Sequence, residues 1–565
     1  MKKTLIGILV CSLLILTILP NISSIYIKKV NVNDFQEYEF IPGEFIVKFK
    51  EKTKILTHSI KRLNEKYQVK SIEKIFKNSE NTILDNIYLY SVSEDSDILS
   101  IVNNYLACPN IAYVEPNYII KPNVNPKTKN NRPIFNSFSQ IDTFPNDPDF
   151  DKQWSLHNIG QLGGKLDSDI DALEAWKIQK GDENIIIAII DTGIDYNHPD
   201  LVENIWMNTD EIPDNGIDDD SNGFIDDIMG WDFAYKNSDP KDTIGHGTLC
   251  AGVAGAVTND TIGIAGVSWN CKIMNVKMFY DNYTASVLDA AMAVKYAADN
   301  GANVISMSWG DYTHYQVLED ACNYSYEKGA LLIAAVGNDN ANIENDYPPA
   351  YENVIAVAST NNKDKRGSWS NYGSIVDIAA PGDFIYSTMP TYEVLFNSYG
   401  FDRNYEYASG TSLAAPCVAG VAGLVLSKDG TLSQEEVTSI ILDNVDAYNS
   451  EKYIGNGRIN AYKAITEFYS NLDIKITGGL GVETTITYNG LGESIGEPYE
   501  ITIRGGLCGL INETISGTID FKAREAETIS SGLLFGLGVI EISVKVGIKE
   551  QNAKGLQLFI FSIVK

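Results

Sequence analysis

Residues 185–195 read Ile-Ile-Ile-Ala-Ile-Ile-Asp-Thr-Gly-Ile-Asp, an apolar run without alternation that ends in a carboxylate. Short runs of the same kind recur downstream, at 273–279, 304–309, 331–336 and 354–358. Such runs are typical of strands that are buried on both faces of a parallel sheet. Helical patterns lie between them, at 287–298 and 434–442. Strands that alternate with helices predict an α/β domain with a doubly wound parallel sheet, which we place at residues 146–467.

Regions of different character flank this domain. Residues 38–121 contain alternating strand-like stretches and predict a small α+β unit. The polar stretch 122–145, with its prolines, asparagines and serines, predicts a linker that is open to cleavage. Residues 472–565 contain short strand-like runs between glycine-rich turns and predict a C-terminal β-sandwich.

The N-terminus has the pattern of an export signal. Lys2 and Lys3 precede an apolar stretch at residues 5–19. A basic start before a short apolar run is typical of a secretory signal peptide, which we place at residues 1–24. An Ala-x-Ala cleavage site does not follow, so an uncleaved N-terminal membrane anchor stays open as an alternative. In both cases we expect an exported protein that acts outside the cell.

The composition excludes several classes of protein. Asp and Glu number 74 against 44 Lys and Arg, which gives a net charge of -30. A surface so acidic repels phosphate backbones, so we expect no nucleic-acid partner. The seven cysteines are too sparse for a disulfide scaffold and show no zinc-binding spacing. They predict small buried side chains.

Reactive residues of a parallel sheet gather at the carboxyl ends of its strands. Asp191, in Asp-Thr-Gly, directly follows the first apolar run. Aspartic proteases also use Asp-Thr-Gly, but they need a second such loop to share a proton between two carboxylates. The sequence has no other Asp-Thr-Gly or Asp-Ser-Gly, so that mechanism is excluded.

Two further motifs contribute a histidine and a serine. His246 lies in Gly-His-Gly-Thr, where the flanking glycines allow other groups to approach the imidazole closely. Ser412 lies in Gly-Thr-Ser-x-Ala-x-Pro, at the start of an apolar helix predicted to end at Leu426. At that position backbone N–H groups and the helix dipole can stabilise an oxyanion. Taken alone, the histidine would be structural and the serine a helix cap.

Asp-Thr-Gly, Gly-His-Gly-Thr and Gly-Thr-Ser-x-Ala-x-Pro, in this order, resemble the motifs of the subtilisin-like serine proteases, or subtilases. The resemblance covers residues 146–467 and implies a serine endopeptidase that hydrolyses protein and peptide substrates through an acyl-enzyme. It implies that Ser412 is the nucleophile, and that His246 is its general base. Asp191 would orient the imidazole and stabilise its charged form.

The resemblance also assigns residues around the triad. Asn338 follows the run at 331–336 and would stabilise the oxyanion together with the Ser412 N–H. Ser308, Trp309 and Gly310 match the segment that pairs with extended substrate and edges the primary pocket. Cys250 matches a thiol found beside the catalytic histidine in proteinase K-like members, so mercurials are expected to inhibit.

Acidic residues suggest calcium, whose preferred ligands are oxygens. Residues 214–227 hold six carboxylates, and so much charge destabilises a loop unless a cation neutralises it. The loop lacks the glutamate of an EF-hand but resembles a calcium loop inserted in some subtilases. The candidate ligands are Asp214, Asp218, Asp220, Asn222, Asp226 and Asp227. A second site, implied by resemblance to thermitase-like members, would use Asp147, Asp200 and Asp260.

The flanking units have implied roles too. Residues 38–121 resemble the inhibitor-type propeptide of subtilases, which would assist folding, occupy the cleft and be removed by cleavage in the linker. The β-sandwich shows no cluster of site-like residues, and contact with a cell surface is one role open to it. Two rival functions follow: a non-catalytic binding module on a subtilase fold, and a surface adhesive protein whose protease serves only maturation.

Overall fold

The computed structural model describes residues 39–50, 57–121 and 145–470, and most of residues 472–564. The connections left out of that last range are 480, 489–493, 506–509, 522–525, 532–535, 547–548 and 560. The predicted signal peptide at 1–24 lies outside the described residues. So does the predicted linker, apart from its last residue at 145.

The N-terminal unit is an antiparallel sheet with two helices. Its elements are β1 (Phe40–Phe49), α1 (His58–Lys66), β2 (Ser71–Lys74), β3 (Ile87–Ser91), α2 (Ile98–Leu106) and β4 (Ile111–Ile120). The strands lie in the order β2-β3-β1-β4, each antiparallel to its neighbour. The helix α2 begins after Asp97, whose carboxylate accepts a hydrogen bond from the Ser100 N–H. Phe45 of β1 and Tyr105 of α2 belong to one buried core.

The central unit contains the parallel sheet that the apolar runs predict. Its elements are α3 (Ala172–Ala175), β5 (Ile186–Asp191), β6 (Trp231–Asp232), α4 (His246–Gly255), β7 (Lys272–Lys277), β8 (Ala285–Ser286), α5 (Val287–Asp299), β9 (Val304–Met307), α6 (Gln316–Glu327), β10 (Leu331–Ala335), β11 (Val354–Thr360), β12 (Ile378–Pro381), β13 (Ile385–Met389), α7 (Leu395–Ser398), β14 (Asn404–Ala408), α8 (Thr411–Lys428), α9 (Gln434–Asp443), β15 (Val445–Asp446), β16 (Arg458–Ile459) and α10 (Ala461–Ser470).

The nine-stranded sheet has the order β15-β16-β12-β11-β10-β9-β5-β7-β6. Every neighbouring pair is parallel except β15 and β16. Its central strands are buried along their whole length. Burial on both faces explains why these strands read as unbroken apolar runs. β13 and β14 form a separate antiparallel pair.

The helix α8 lies in the core against strands β9 to β12 and against α4. It is long and apolar enough to cross a membrane, but nearly all of its residues are buried inside the protein. Small residues allow its close packing: a Cβ on Gly420 would lie 2.6 Å from the Cβ of Val267. The tight packing holds the first turn of α8, which carries Ser412, at a fixed place.

The C-terminal unit consists of two antiparallel sheets. Its strands are β17 (Leu472–Gly479), β18 (Gly481–Tyr488), β19 (Ser494–Gly505), β20 (Ile511–Phe521), β21 (Ala526–Ser530), β22 (Gly536–Val546), β23 (Lys549–Phe559) and β24 (Phe561–Val564). One sheet has the order β17-β18-β21 and the other β20-β19-β22-β23-β24. Ile486 of the first sheet and Ile501 and Ile542 of the second share a buried core. The predicted fold class is confirmed in all three units.

One strand joins two of these units. β8 pairs antiparallel with β4, so that Ile119 faces Ser286 and Ile120 faces Ala285. The N-terminal sheet therefore has five strands, the last of which comes from the central unit. A strand of two residues gives no periodicity, and the sequence did not predict it.

Candidate active site

The end of β5 and the start of α4 bring Asp191 and His246 together. The imidazole Nδ1 donates to both carboxylate oxygens of Asp191, at 2.8 and 2.9 Å. Both side chains are buried. Burial by itself would lower the pKa of His246, but the Asp191 carboxylate raises it well above its usual 6.5. Asp191 thus orients the imidazole and stabilises its charged form.

A second buried aspartate, which the sequence analysis missed, organises the loop before His246. Asp242 accepts hydrogen bonds from the N–H groups of Ile244 and Gly245 through one oxygen, and from Thr248 through the other. It also accepts the hydroxyl of Thr192, which comes directly after Asp191. Asp242 precedes the histidine of Gly-His-Gly-Thr by four residues, and this position could have identified it from the sequence.

Ser412 is the second residue of α8 and is 6% exposed. Its backbone carbonyl accepts hydrogen bonds from the Ser308 hydroxyl at 2.8 Å and from the Cys250 thiol at 3.3 Å. Cys250 Sγ also lies 3.9 Å from His246 Nδ1. Burial raises the pKa of this thiol, which keeps it protonated and unsuited to act as a nucleophile. Cys250 therefore connects the histidine to the serine backbone.

Asn338 lies opposite the start of α8. Its side-chain oxygen accepts the Thr411 N–H at 2.9 Å. The Thr411 hydroxyl donates to the same oxygen at 3.2 Å, and it accepts the Gly337 N–H at 3.1 Å. These bonds fix the orientation of the Asn338 amide next to Ser412. Gly337 has a φ of +89°, a conformation that favours glycine at this turn.

A cavity opens beside Ser412 and Asn338. Its other walls come from Ser308, Trp309, Gly310, Ala335, Gly337, Asp346 and Thr411. The three residues predicted to edge the primary pocket are thus brought to it. Trp309 is itself buried, and its indole N–H donates to the Ile190 carbonyl at 2.8 Å. Asp346 was not predicted, because its loop carries no motif.

The acidic loop between β5 and β6 gathers some of the predicted calcium ligands. Carboxylate oxygens of Asp218, Asp220 and Glu211 lie within 4.8 Å of one another. Asp218 Oδ1 is buried and has no hydrogen-bond partner within the described ranges. Calcium would satisfy such an oxygen, so the residues fit this cation. Glu211 was missed because it precedes the acidic run.

The other predicted ligands of this loop are described by their hydrogen bonds to neighbouring groups and by their exposure. Asp226 accepts the N–H groups of Asn215 and Gly216. Asp227 is buried and accepts from Asn208, Asn222 and Tyr296. Asn222 also donates to Asp220 at 2.9 Å, and Asp214 is exposed. Asn222 thus connects Asp220 with Asp227, whereas the cluster of close carboxylate oxygens contains, of the predicted ligands, Asp218 and Asp220.

The second predicted set is more deeply buried. Asp147 accepts the Asn259 N–H on both oxygens at 2.9 Å. Asp200 Oδ2 accepts the Ile264 N–H, while its Oδ1 is buried and has no hydrogen-bond partner among the described residues. Burial, with Asp260 and Asp147 nearby, raises the pKa of Asp200 to about 8. Three carboxylates placed this close together also fit a cation, which would neutralise their charges.

The N-terminal unit contacts the central unit through buried polar groups. The Glu115 carboxylate accepts the N–H groups of Gln316 and Val317 at the start of α6, at 3.1 and 2.9 Å. Lys48 pairs with Asp320 of the same helix at 2.6 Å. Tyr283, two residues before β8, lies with its ring 6.0 Å from that of His246. The pairing of β4 with β8 therefore brings the end of the N-terminal unit close to the candidate active site.

Two family models match the chain. Residues 182–461 match the subtilase family, and residues 28–117 match the fervidolysin N-terminal prodomain. The second match overlaps the predicted propeptide, so the similarity reaches beyond the catalytic motifs.

Curated proteases match the chain over much of its length. Thermitase of Thermoactinomyces vulgaris is 39% identical over 322 residues, which cover 57% of this chain and 99% of that protein. The thermophilic serine proteinase of Bacillus sp. (strain AK1) is 32% identical over 444 residues, or 78% of this chain and 91% of that protein. The halolysin-like extracellular serine protease Nep of Natrialba magadii is 34% identical over 58% of this chain and 54% of its own length.

Two of these proteases are similar to this chain over nearly their whole length. This similarity agrees with the observed fold and with the order of the motifs. The chain therefore belongs to the subtilase family, as a serine endopeptidase with an N-terminal prodomain.

Proposed function

We propose that this chain is a secreted, calcium-stabilised serine endopeptidase that matures by cleaving its own prodomain. The observation that carries the proposal is the buried pair of Asp191 and His246, held beside the first turn of α8 where Ser412 lies. In this arrangement the Ser412 hydroxyl attacks the scissile carbonyl. His246 takes its proton and later gives it to the leaving amine, and Asp191 stabilises the imidazolium.

The oxyanion that forms during attack needs fixed donors. The backbone N–H of Ser412 is at the N-terminal end of α8, where the first N–H groups of a helix have no partner within it. The Asn338 amide, oriented by Thr411, supplies the second donor. Loss of one such side-chain donor lowers kcat by about 100- to 1000-fold in this class of site. Water then hydrolyses the acyl-enzyme with His246 again as the base.

The contacts of the prodomain support synthesis of the enzyme as an inactive zymogen. Glu115 caps α6, and β4 occupies the edge of β8 beside the candidate active site. A prodomain held at the site in this way blocks access of other substrates until it is cleaved and released. Export follows from the basic and apolar pattern at residues 1–24.

Calcium has a structural role in this proposal. Asp200, Asp147 and Asp260 would hold one ion, and Asp218 and Asp220 with Glu211 another. A bound cation neutralises carboxylates that otherwise repel each other and so stabilises the surrounding loops. The catalytic steps use the residues of the chain alone.

The test is casein hydrolysis by the purified protein in calcium, compared with the Ser412→Ala variant, with mass spectrometry of both chains. We expect the wild type to lose its first ~120 to 145 residues and to digest casein. The variant should do neither. If both chains stay intact and inactive in calcium, the proposal is wrong.

A further inference from the structure

The cavity beside Ser412 has an acidic floor. Asp346 lines it together with Gly310 and Gly337. The Asp346 side chain is 99% buried, since only 1% of the residue is exposed. Among the residues that the structure describes, none forms a hydrogen bond with either of its carboxylate oxygens. Buried charged groups in proteins are nearly always paired, so a carboxylate in this state lacks its counterpart.

Nearby groups do not supply that counterpart. The Asn371 amide approaches Asp346, but its Nδ2 donates to the Val336 carbonyl at 2.8 Å and to Tyr312 Oη at 3.3 Å. Burial, reinforced by the charges of Asp311 and Asp339, raises the pKa of Asp346 to about 8. Among the described residues, no Lys or Arg forms an ion pair with it. The local field therefore favours a positive charge at this point.

Two glycines leave the carboxylate open to the cavity. A Cβ on Gly310 would lie 2.9 Å from Asp346 Oδ1, and a Cβ on Gly337 would lie 3.1 Å from Oδ2. Side chains at these two positions would cover both oxygens. Because neither position has one, a group that enters the cavity can reach the carboxylate.

The backbone holds Asp346 in place. The next residue, Tyr347, exchanges two backbone hydrogen bonds with Asp311, at 2.8 and 2.7 Å. The Asp346 carbonyl accepts the Ala350 N–H at 2.7 Å. A fixed carboxylate loses little entropy when a ligand binds, so this geometry suits recognition.

We propose that Asp346 selects substrates with a basic side chain, arginine or lysine, immediately before the scissile bond. The inference rests on the proposed function, because Ser412, which lines the same cavity, must be the nucleophile. The long side chain of arginine or lysine would extend along the cavity and place its charge against Asp346. A guanidinium can bond both open oxygens at once, so arginine is expected to be preferred over lysine.

The test compares two peptides that differ only before the scissile bond, one with arginine and one with citrulline, its neutral isostere. With the matured wild type we expect kcat/KM to be about 100-fold higher for arginine, as for a charge-assisted pair in a buried site. Asp346→Asn should reduce this ratio to near one. Glu344→Gln, an exposed carboxylate two residues away, is the matched control and should leave the ratio unchanged.

Two results would overturn the inference: a wild-type ratio near one, or an equal loss of the ratio in both variants. A map of the bonds cleaved in denatured casein adds a readout that needs no variant at Asp346. Cleavage mainly after arginine and lysine supports the inference. Cleavage mainly after apolar residues contradicts it, although the proposed function stands if that cleavage depends on Ser412. Absence of any Ser412-dependent cleavage contradicts both.

Discussion

Asp191 and Asp346 are both almost completely buried, yet they differ in their hydrogen-bond partners. Asp191 accepts the His246 Nδ1–H on both oxygens and the Thr192 N–H on one. Asp346 accepts no hydrogen bond on either oxygen from the part of the chain that the structure describes. The first carboxylate has its partners within the chain and fixes the geometry of catalysis. The second lies open to a cavity and gains a partner only when another molecule enters.

The same distinction applies to two further carboxylates. Asp200 has one oxygen bonded to the Ile264 N–H and one buried without a partner. Glu115 has both oxygens bonded, but to a helix of another unit. We propose that buried carboxylates in this protein serve catalysis, recognition, cation binding or docking according to where their partners come from.

The largest effect on activity is expected for Asp191, the carboxylate whose partner is within the chain. Asp191→Asn should lower kcat/KM by about 10⁴-fold, because the amide cannot hold the imidazole in the reactive tautomer. The melting temperature should change little, which shows that the loss is catalytic. Peptide hydrolysis measures it, with Asp239→Asn, an exposed carboxylate, as the control. A variant that keeps a tenth of the activity would contradict this role.

Much of the fold could be predicted because the central strands are buried on both faces. The runs at 304–309 and 331–336 contain β9 (Val304–Met307) and β10 (Leu331–Ala335), and each observed strand ends just short of the predicted run. In both cases the residues that follow turn toward the cavity. Trp309 lines the cavity and Val336 belongs to a buried apolar cluster, so composition alone does not mark the strand end.

The candidate site was less completely predicted. Motifs marked Asp191, His246 and Ser412, since glycines and small residues must surround groups that approach so closely. Asp346 reaches the cavity through the backbone pairing of Asp311 with Tyr347, a long-range contact without a local pattern. Glu211 joins Asp218 and Asp220 from just outside the acidic run.

The second largest effect is expected on the melting temperature when calcium is removed. A ligand present at 100 times its Kd stabilises the folded state by about 2.7 kcal/mol, so chelation should lower the melting temperature by several degrees. Asp200→Asn should make the melting temperature less sensitive to chelation, because one cation ligand is lost. Calorimetry with and without chelator measures both. An equal response of wild type and Asp200→Asn would remove Asp200 from the site.

The pH dependence of selectivity distinguishes Asp346 from Asp191. With its pKa raised to about 8, Asp346 becomes protonated as the pH falls below 8 and loses its attraction for arginine. The ratio of kcat/KM for the arginine and citrulline peptides should therefore fall by up to about tenfold per pH unit below 8. Titration of His246 affects both peptides and cancels in the ratio. Asp311 and Asp339 face Asp346 and contribute to its raised pKa, so a ratio that is flat from pH 6 to 9 would contradict the assignment.

The smallest effect is expected for Glu115, the carboxylate of the N-terminal unit that bonds α6, and it concerns inhibition by the prodomain. Glu115→Ala removes the acceptor for two N–H groups of α6 and should weaken inhibition by the separate prodomain about tenfold. Glu73→Ala, on the exposed side of β2, is the matched control. Inhibition of the matured enzyme by each added prodomain measures the difference. Equal inhibition constants would show that Glu115 does not contribute to docking.

The pairing of β4 with β8 has a consequence for the order of events during synthesis. Ile120 and its partner Ala285 are 165 residues apart, the difference between 285 and 120. At ribosomal rates of about 5 to 20 residues per second, β4 is complete roughly 8 to 33 s before its neighbour exists. For that interval the edge of β4 has no partner in its own chain. A nascent chain with so long a wait benefits from slow compaction or from chaperones that cover the open edge until β8 arrives.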